Sequence, residues 1–386
     1  MALLKSSARP KFMQRADVSS ERGTARELAI QVEHVVLATL STGVLNSWYS
    51  TALRGLVVKP LRDHFCNLMG GRITNDILGV QKTHRVNSDA SYCQGCVKNA
   101  QCGYGRVFEP DLKVIAPGLI RQGAAQGLRG ITFATPVLAH DQNDKPADDL
   151  AEVALSRVTV EAGTVLSVRI LALGTESIQL LPLVSEALDA FGRTNGLWGQ
   201  PPVHFRVQPQ SVRSESITLN PSTLPIQICS GIVPQVRIDL ETPLSLKRPA
   251  PRDQRLQLGN ARDEKRHFSN PNSAPPTFRE LFSNSFRTIR RAINEFADPT
   301  FCDGLQLGEF INASEQVSLV EHDLRYFEQQ RASRRHDEPH NQSGWLGSLT
   351  FSNVPLAYLP WLIWAGKLGI GDSRNCGAGL WHVVLG

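Results

Sequence analysis

The sequence predicts an α+β protein in which one six-element plan, βαββαβ, is used twice. Three observations carry that prediction. Apolar alternation and short apolar runs mark strands at corresponding places in both halves, and stretches with helical apolar spacing stand between them. Each half also closes on helix, glycine-bearing turn, tryptophan and strand: GRTNGLWG at Gly192 to Gly199, and GKLGIGDSRNCGAGLW at Gly366 to Trp381. At 386 residues and 41% hydrophobic content the chain can fill two cores.

In the first half, expected to span residues 24–210, a strand at Leu28 to Leu40 precedes a helix at Leu45 to Phe65. A cysteine-bearing insertion, 66–110, follows. Strands are expected at Val107 to Ala116, Gly130 to Leu138 and Val158 to Leu173. Leu180, Leu181, Val184, Ala187, Leu188 and Phe191 then share one face of a helix from Ser177 to Phe191, and Val203 to Val207 is the closing strand. A polar, proline-containing connection, 211–233, leads into the second half, 234–386. There Val236, Ile238 and Leu240 alternate as a half-buried strand. Phe278, Leu281, Phe282, Phe286, Ile289 and Ile293 form the apolar stripe of a helix from Thr277 to Phe296. Strands at Val317 to Phe327 and Trp345 to Phe351, a helix at Val354 to Ala365 and a last strand at Leu380 to Leu385 complete the repeat. This order is that of two tandem ferredoxin-like, or RRM-like, domains. Such four-stranded sheets are common RNA-binding platforms, although the fold alone hosts many functions.

The terminal glycine loop is the most informative segment. It is no Walker loop, because Lys367 lacks the following Ser or Thr, and no dinucleotide fingerprint, because no strand feeds its first glycine. Gly369, Gly371, Gly377 and Gly379 let backbone approach a ligand closely, beside Lys367, Ser373 and Arg374. That combination suits a polyanion such as RNA. The net charge of +5 is also concentrated: the stretch Leu244 to Arg291, with Lys247, Arg248, Arg287, Arg290 and Arg291 among eleven basic residues against four acidic ones, carries +7. A basic block of this kind is the footprint of a nucleic-acid contact, and solvated surface charge is the alternative reading.

The basic, polar segment 1–23 reads as a flexible leader rather than a secretory signal, and no apolar run is long enough to span a membrane. A soluble, intracellular location is expected. Seven cysteines argue against a disulfide framework. Cys93 and Cys96 form a CxxC with Cys102 six residues on and Cys66 upstream; these four thiols are a candidate structural Zn²⁺ site, with reduced, unligated thiols as the alternative. Cys229, Cys302 and Cys376 have no sequence partners.

Several segments, in order along nearly the whole chain, carry a likeness to a known family. They are LRG at Leu53 to Gly55, CQGCVKNAQCGYGRVFEP at Cys93 to Pro110, ALDAFGRTNGLWG at Ala187 to Gly199, LETPLSLK at Leu240 to Lys247, PTFRELF at Pro276 to Phe282, and the glycine loop. In these the chain resembles the CRISPR-associated pre-crRNA processing endoribonucleases of the RAMP superfamily; DSRNCGAG stands where that family more usually has a Thr-Thr and Gly-rich run. The resemblance implies a prokaryotic, cytoplasmic protein of antiviral defence. Its partners would be CRISPR repeat RNA or crRNA, and other CRISPR effector subunits. It implies metal-independent cleavage, with no catalytic cofactor, through attack of a ribose 2′-hydroxyl that leaves a 2′,3′-cyclic phosphate. A non-catalytic RAMP subunit that holds crRNA in an effector complex is the alternative, and a zinc-clamped scaffold a third.

The family's habit of placing catalytic groups around the first helix points to Tyr49, Lys59 and His64, with Arg54 as a phosphate-facing cation. Histidine suits proton transfer near neutrality, whereas guanidinium does not deprotonate. His64 can equally be a helix-end surface group. His34, inside an apolar strand, and His382, beside the glycine loop, are further candidates, while His336 and His340 lie in a polar loop.

Overall fold

The structure is a computed structural model that describes residues 27–68, 93, 96, 99, 101–111, 127–138, 157–199, 201–228, 231–248, 267–268, 274–301, 308–331, 340–371 and 373–386. The leader 1–23, the basic run 249–266, His336, Cys229 and Cys302 lie outside the described residues.

The first half runs β1 (Leu28–Thr39), β2 (Gly43–Asn46), α1 (Ser50–Leu68), α2 (Gly103–Phe108), β3 (Ile131–Ala134), β4 (Arg157–Val160), β5 (Val165–Leu173), α3 (Gly174–Thr194), β6 (Phe205–Val207) and β7 (Arg213–Leu219). β3, β5 and β1 are successive neighbours in one antiparallel sheet, and β6 and β7 share the far edge of β1. β6 pairs with Leu37 to Thr39 and β7 with Leu28 to His34. β2 and β4 pair separately.

The two faces of β1 serve different partners. Residues two apart share a face. Val35 and Leu37 pack with Leu53, Leu56, Val57 and Leu61 of α1 and with Leu181, Val184 and Leu188 of α3. On the other face Leu28, Ile30 and Val32 belong to a core that also holds Ile238, Phe286 and Ile289 of the second half.

The second half runs β8 (Ile232–Leu244), β9 (Lys247–Arg248), β10 (His267–Phe268), α4 (Phe278–Phe296), α5 (Gly308–Asn312), β11 (Ser318–Phe327), β12 (Gln330–Arg331), β13 (His340–Asn341), β14 (Gly344–Pro355), α6 (Leu359–Leu368) and β15 (Trp381–Leu385). Its main sheet is antiparallel in the order β11-β14-β8-β15. α4 starts where it does because Thr277 and Glu280 cap it reciprocally, with Thr277 Oγ1 accepting from Glu280 N at 3.2 Å and Thr277 N donating to Glu280 Oε2 at 2.9 Å. Its apolar stripe meets α6 and its lead-in through aromatic contacts, Phe282 with Tyr358 at 4.3 Å and Phe286 with Trp361 at 4.7 Å between ring centroids.

Five local expectations are corrected. Val107 and Phe108 end the short helix α2 and do not open a strand. The expected long strand from Val158 to Leu173 is two strands, β4 and β5, separated by a turn at Gly163 with φ of 89°, and they pair in different sheets, β4 with β2 and β5 with β1 and β3. α1 starts at Ser50 because Gly43–Asn46 pairs as β2, and α6 starts at Leu359 because Val354 and Pro355 still belong to β14. The connection 211–233 is not merely a linker, since it contains β7.

Candidate nucleic-acid interface

The face of the first sheet that carries His34 is polar where β1 passes beyond the shared core. His34 is exposed, and its cross-strand partners are Arg169 on β5 and Arg213 on β7. Residues directly opposite each other project to the same side, so the three form one row across the sheet, an imidazole flanked by two guanidinium groups.

The second half reaches this row through ion pairs. Arg169 Nη1 lies 3.3 Å from Glu241 Oε2, and Arg169 Nη2 donates to the Lys367 carbonyl at 3.2 Å. The other Glu241 oxygen contacts His382 Nε2, and Lys367 Nζ sits 3.6 Å from Glu215 Oε1. Burial pulls the Arg169 guanidinium below its ordinary pKa, against the pull of Glu241 and Glu215. The group thus offers guanidinium, ammonium and imidazole side chains from both halves, the chemistry that binds phosphates and moves protons near neutral pH.

The residues expected around α1 do not join it. Tyr49 is in the core. Its hydroxyl donates to the Ser167 carbonyl at 2.7 Å, and burial pushes the phenol far above its usual range. The expectation that Tyr49 serves as a proton carrier is corrected on that ground. Lys59 is exposed and His64 half-buried on α1, which packs against the opposite face of the sheet from His34. His64 Nε2 is buried without a hydrogen-bond partner among the described residues, and its ring stands edge-on to Phe65 at 5.7 Å. Arg287 is exposed, Arg290 half-buried, and Arg291 Nε donates to Glu295 Oε1 at 2.6 Å. Lys247 and Arg248 lie on β9, opposite Phe268 and His267, and His340 on β13.

The glycine loop is built differently from expectation. Gly369, Gly371, Gly377 and Gly379 all have positive φ, between 71° and 82°. A Cβ at each would press into the carbonyl of Ala378, Ser245, Phe133 and Ile370 respectively. The glycines therefore let the chain pack on its own backbone, and Gly379 N bonds the Pro243 carbonyl at 3.0 Å. Lys367 and Ser373 are half-exposed. Arg374, expected to project toward a ligand, is instead only 5% exposed.

The four candidate zinc ligands, Cys66, Cys93, Cys96 and Cys102, are all buried and outside any disulfide, with Cys93 and Cys102 in the core of the first half. Among the described residues no three His, Cys, Asp or Glu side chains are arranged to hold a metal ion.

With the geometry in place, comparison with known proteins gives the following. The sequence matches no family model and no curated protein. Among solved structures the chain is similar to a partial Cas6-RT-Cas1–Cas2 complex, at 11% identity and a TM-score of 0.48 over 93% of this chain and 46% of that one. It is also similar to a Cas6 product complex, at 9% identity and 0.46 over 94% and 100%, and to Thermus thermophilus Cas6, at 10% and 0.43 over 92% and 99%. The chain spans about half the length of the first of these. At such identities and scores the likeness assigns no activity.

Sequence reading singled out His34 and His382 but missed Arg169, Arg213, Glu215 and Glu241, which connect them. A signal existed. Arg169 interrupts the apolar run VLSVRILAL just as His34 interrupts β1, and a charge inside such a run marks the place where a sheet face leaves the core.

Proposed function

We propose that the chain binds CRISPR repeat RNA and cleaves precursor crRNA, using two ferredoxin-like units. The fold reading is supported by the strand order, in which each main sheet has its first strand central, the third beside it, the second at one edge and the fourth at the other. The observation that carries the RNA reading is the row His34, Arg169 and Arg213 on one sheet face, joined by Lys367 and His382 from the second half. Sheets of this kind bind single-stranded RNA through one face, with cations neutralising phosphates.

In the proposed reaction a base takes the proton from a ribose 2′-hydroxyl, and the freed oxygen attacks the adjacent phosphorus. The 5′-oxygen leaves with a proton from an acid, giving a 2′,3′-cyclic phosphate and a 5′-hydroxyl. His64 is the proposed proton carrier, with Lys59 on the same helix stabilising the phosphorane charge; both lie across the sheet from the His34 row, so this assignment requires the RNA to pass round the sheet from that row to α1. Tyr49 has no part in it, because its hydroxyl is already committed to Ser167.

The test is single-turnover cleavage of repeat RNA in EDTA, with product ends assayed for cyclic phosphate. His64→Ala is expected to bind RNA as the parent does and cleave about a hundredfold more slowly or worse. Full activity in that variant moves the assignment to His34 or His382. Failure of the parent to cleave its cognate repeat favours a non-catalytic subunit that retains crRNA, and dependence on Mg²⁺ overturns the mechanism.

A further inference from the structure

The second sheet has two edges, and they are finished differently. At one edge, β11 carries Glu321, His322, Asp323 and Arg325 exposed and bulges between Leu319 and Glu321. Charges and a bulge are devices by which an edge strand refuses further pairing. At the other edge, β15 reads WHVVL and pairs in unbroken register with β8, from Trp381 opposite Leu240 to Leu385 opposite Val236. It has no Lys, Arg, Asp, Glu or Pro, and Val384 and Leu385 are 46% and 57% exposed.

The outward backbone groups of β15 follow from its pairing. Gly386 N donates to the Gln235 carbonyl at 3.1 Å and Glu241 N to the Leu380 carbonyl at 2.9 Å, so the even-numbered residues bond to β8. Backbone groups alternate along a strand, which turns those of Trp381, Val383 and Leu385 outward. α6 closes over the first of these: Trp381 Nε1 donates to the Leu362 carbonyl at 3.0 Å, and a Cβ at Gly366 would press on the Trp381 carbonyl. Beside Val383 and Leu385 no further strand pairs among the described residues.

The helix layer extends the same apolar surface. α4 lies over β14, with Phe278 5.2 Å from Phe351 between ring centroids, and Trp361 of α6 faces α4. Ile363 is about 60° further round α6 than Gly366, on the side away from Trp361. It therefore sits on the flank above the outer edge of β15, and it is 43% exposed.

We propose that this edge is the contact between two copies of the chain, with β15 paired antiparallel to β15 about a two-fold axis at Val384. In that register Val383 and Leu385 of one copy exchange backbone hydrogen bonds with Leu385 and Val383 of the other. Val384 meets its own counterpart, and Ile363 adds an apolar layer beneath α6. Charge selects the occupant: a charged segment finds no counter-charge on this edge, whereas a second uncharged edge of the same composition loses nothing there. His382, the one titratable group on β15, is engaged by Glu241 and stands opposite Gly386 of the second copy. Identical strands paired this way close after two copies and leave no further edge of this kind. The proposal does not rest on the RNA reading.

Sedimentation of the full chain without RNA, from about 1 to about 100 µM, is expected to show monomer passing into dimer, because one strand and one helix flank make a small interface. Val384→Lys sets two ammonium groups against each other at the axis and is expected to weaken the dimer at least about tenfold. Ile363→Glu is expected to do the same and carries the test where the strand variant does not fold. His322→Lys, on the opposite edge, should leave the dimer unchanged. Val384→Cys reads the register directly: Cα atoms in such a pair are about 4.5 Å apart, within disulfide reach, so mild oxidation should link two chains through that residue. A chain that stays monomeric throughout, a dimer that both charged variants leave intact, or one lost in His322→Lys alone overturns the proposal. So does a dimer that Val384→Cys fails to cross-link.

Discussion

The Arg169 guanidinium meets the Glu241 carboxylate at 3.3 Å, joining β5 of the first sheet to β8 of the second. Both side chains are largely shielded, so removing one charge leaves the other poorly solvated. Glu241→Gln is expected to cost about 1–3 kcal/mol of stability. Urea unfolding measures it; an unchanged midpoint would show that the pair contributes nothing.

Two glycines are expected to respond oppositely to alanine. Gly377 has φ of 81° and no room for a Cβ beside Phe133 and Ala134, so Gly377→Ala should destabilise the fold by about 2 kcal/mol or more. Gly55 is an exposed residue within α1, with nothing within 4 Å of a Cβ, and Gly55→Ala should stabilise by up to about 1 kcal/mol. Equal effects of the two changes would refute the structural role of the glycine loop.

Alkaline titration should separate native from unfolded tyrosines. Burial pushes Tyr326 and Tyr358 up to about 12, and holds Tyr49 and Tyr104 well above the ordinary phenol range. A phenol whose folded pKa is raised contributes stability that is present below its unfolded value, near 10, and lost as pH rises through the folded value. Arg129 and Arg374, lowered to about 10, act in the opposite direction above that pH. Phenolate absorbance reports the tyrosines alone. At about pH 11 four of the five tyrosines should remain protonated in the folded chain and all should ionise in denaturant.

Lys367→Ala should weaken RNA binding and lower the slope of log affinity against log salt by about one unit. The side chain is half-exposed, 3.6 Å from Glu215, so a phosphate has only a surface ion pair to displace. An unaltered salt series would remove Lys367 from the interface.

The thiols should behave as packing residues. Burial pushes the Cys102 thiol up, which slows its reaction as thiolate. Thiol titration should be slow in the folded chain and complete in denaturant. Elemental analysis tests the proposed structural zinc separately: one ion per chain, lost in Cys96→Ser, establishes it, and none refutes it.

The regular elements were legible in the sequence where burial imposes a period. The stripe Phe278, Leu281, Phe282, Phe286, Ile289 and Ile293 became α4, because one helix face carries most of that core. β7 was invisible for the opposite reason: in RSESITL only Leu219 is buried, and backbone pairing with β1 leaves no mark on side-chain pattern. The glycine loop was legible in sequence as a special segment, but the packing of its glycines on the chain's own backbone was not. Glycines that approach a ligand and glycines that approach their own chain look identical in one dimension. The inter-sheet set around Arg169 depends on partners 72 and 198 residues away, a separation that local patterns do not encode.

β1 has a consequence for how the chain folds. Its first half lends Leu28, Ile30 and Val32 to a core completed by the second unit, while its second half serves the helices of the first. A fragment ending before β8 would leave that apolar surface facing water, an invitation to aggregate. The two units are accordingly expected to unfold in one cooperative transition, and severing them should yield pieces that need each other in solution.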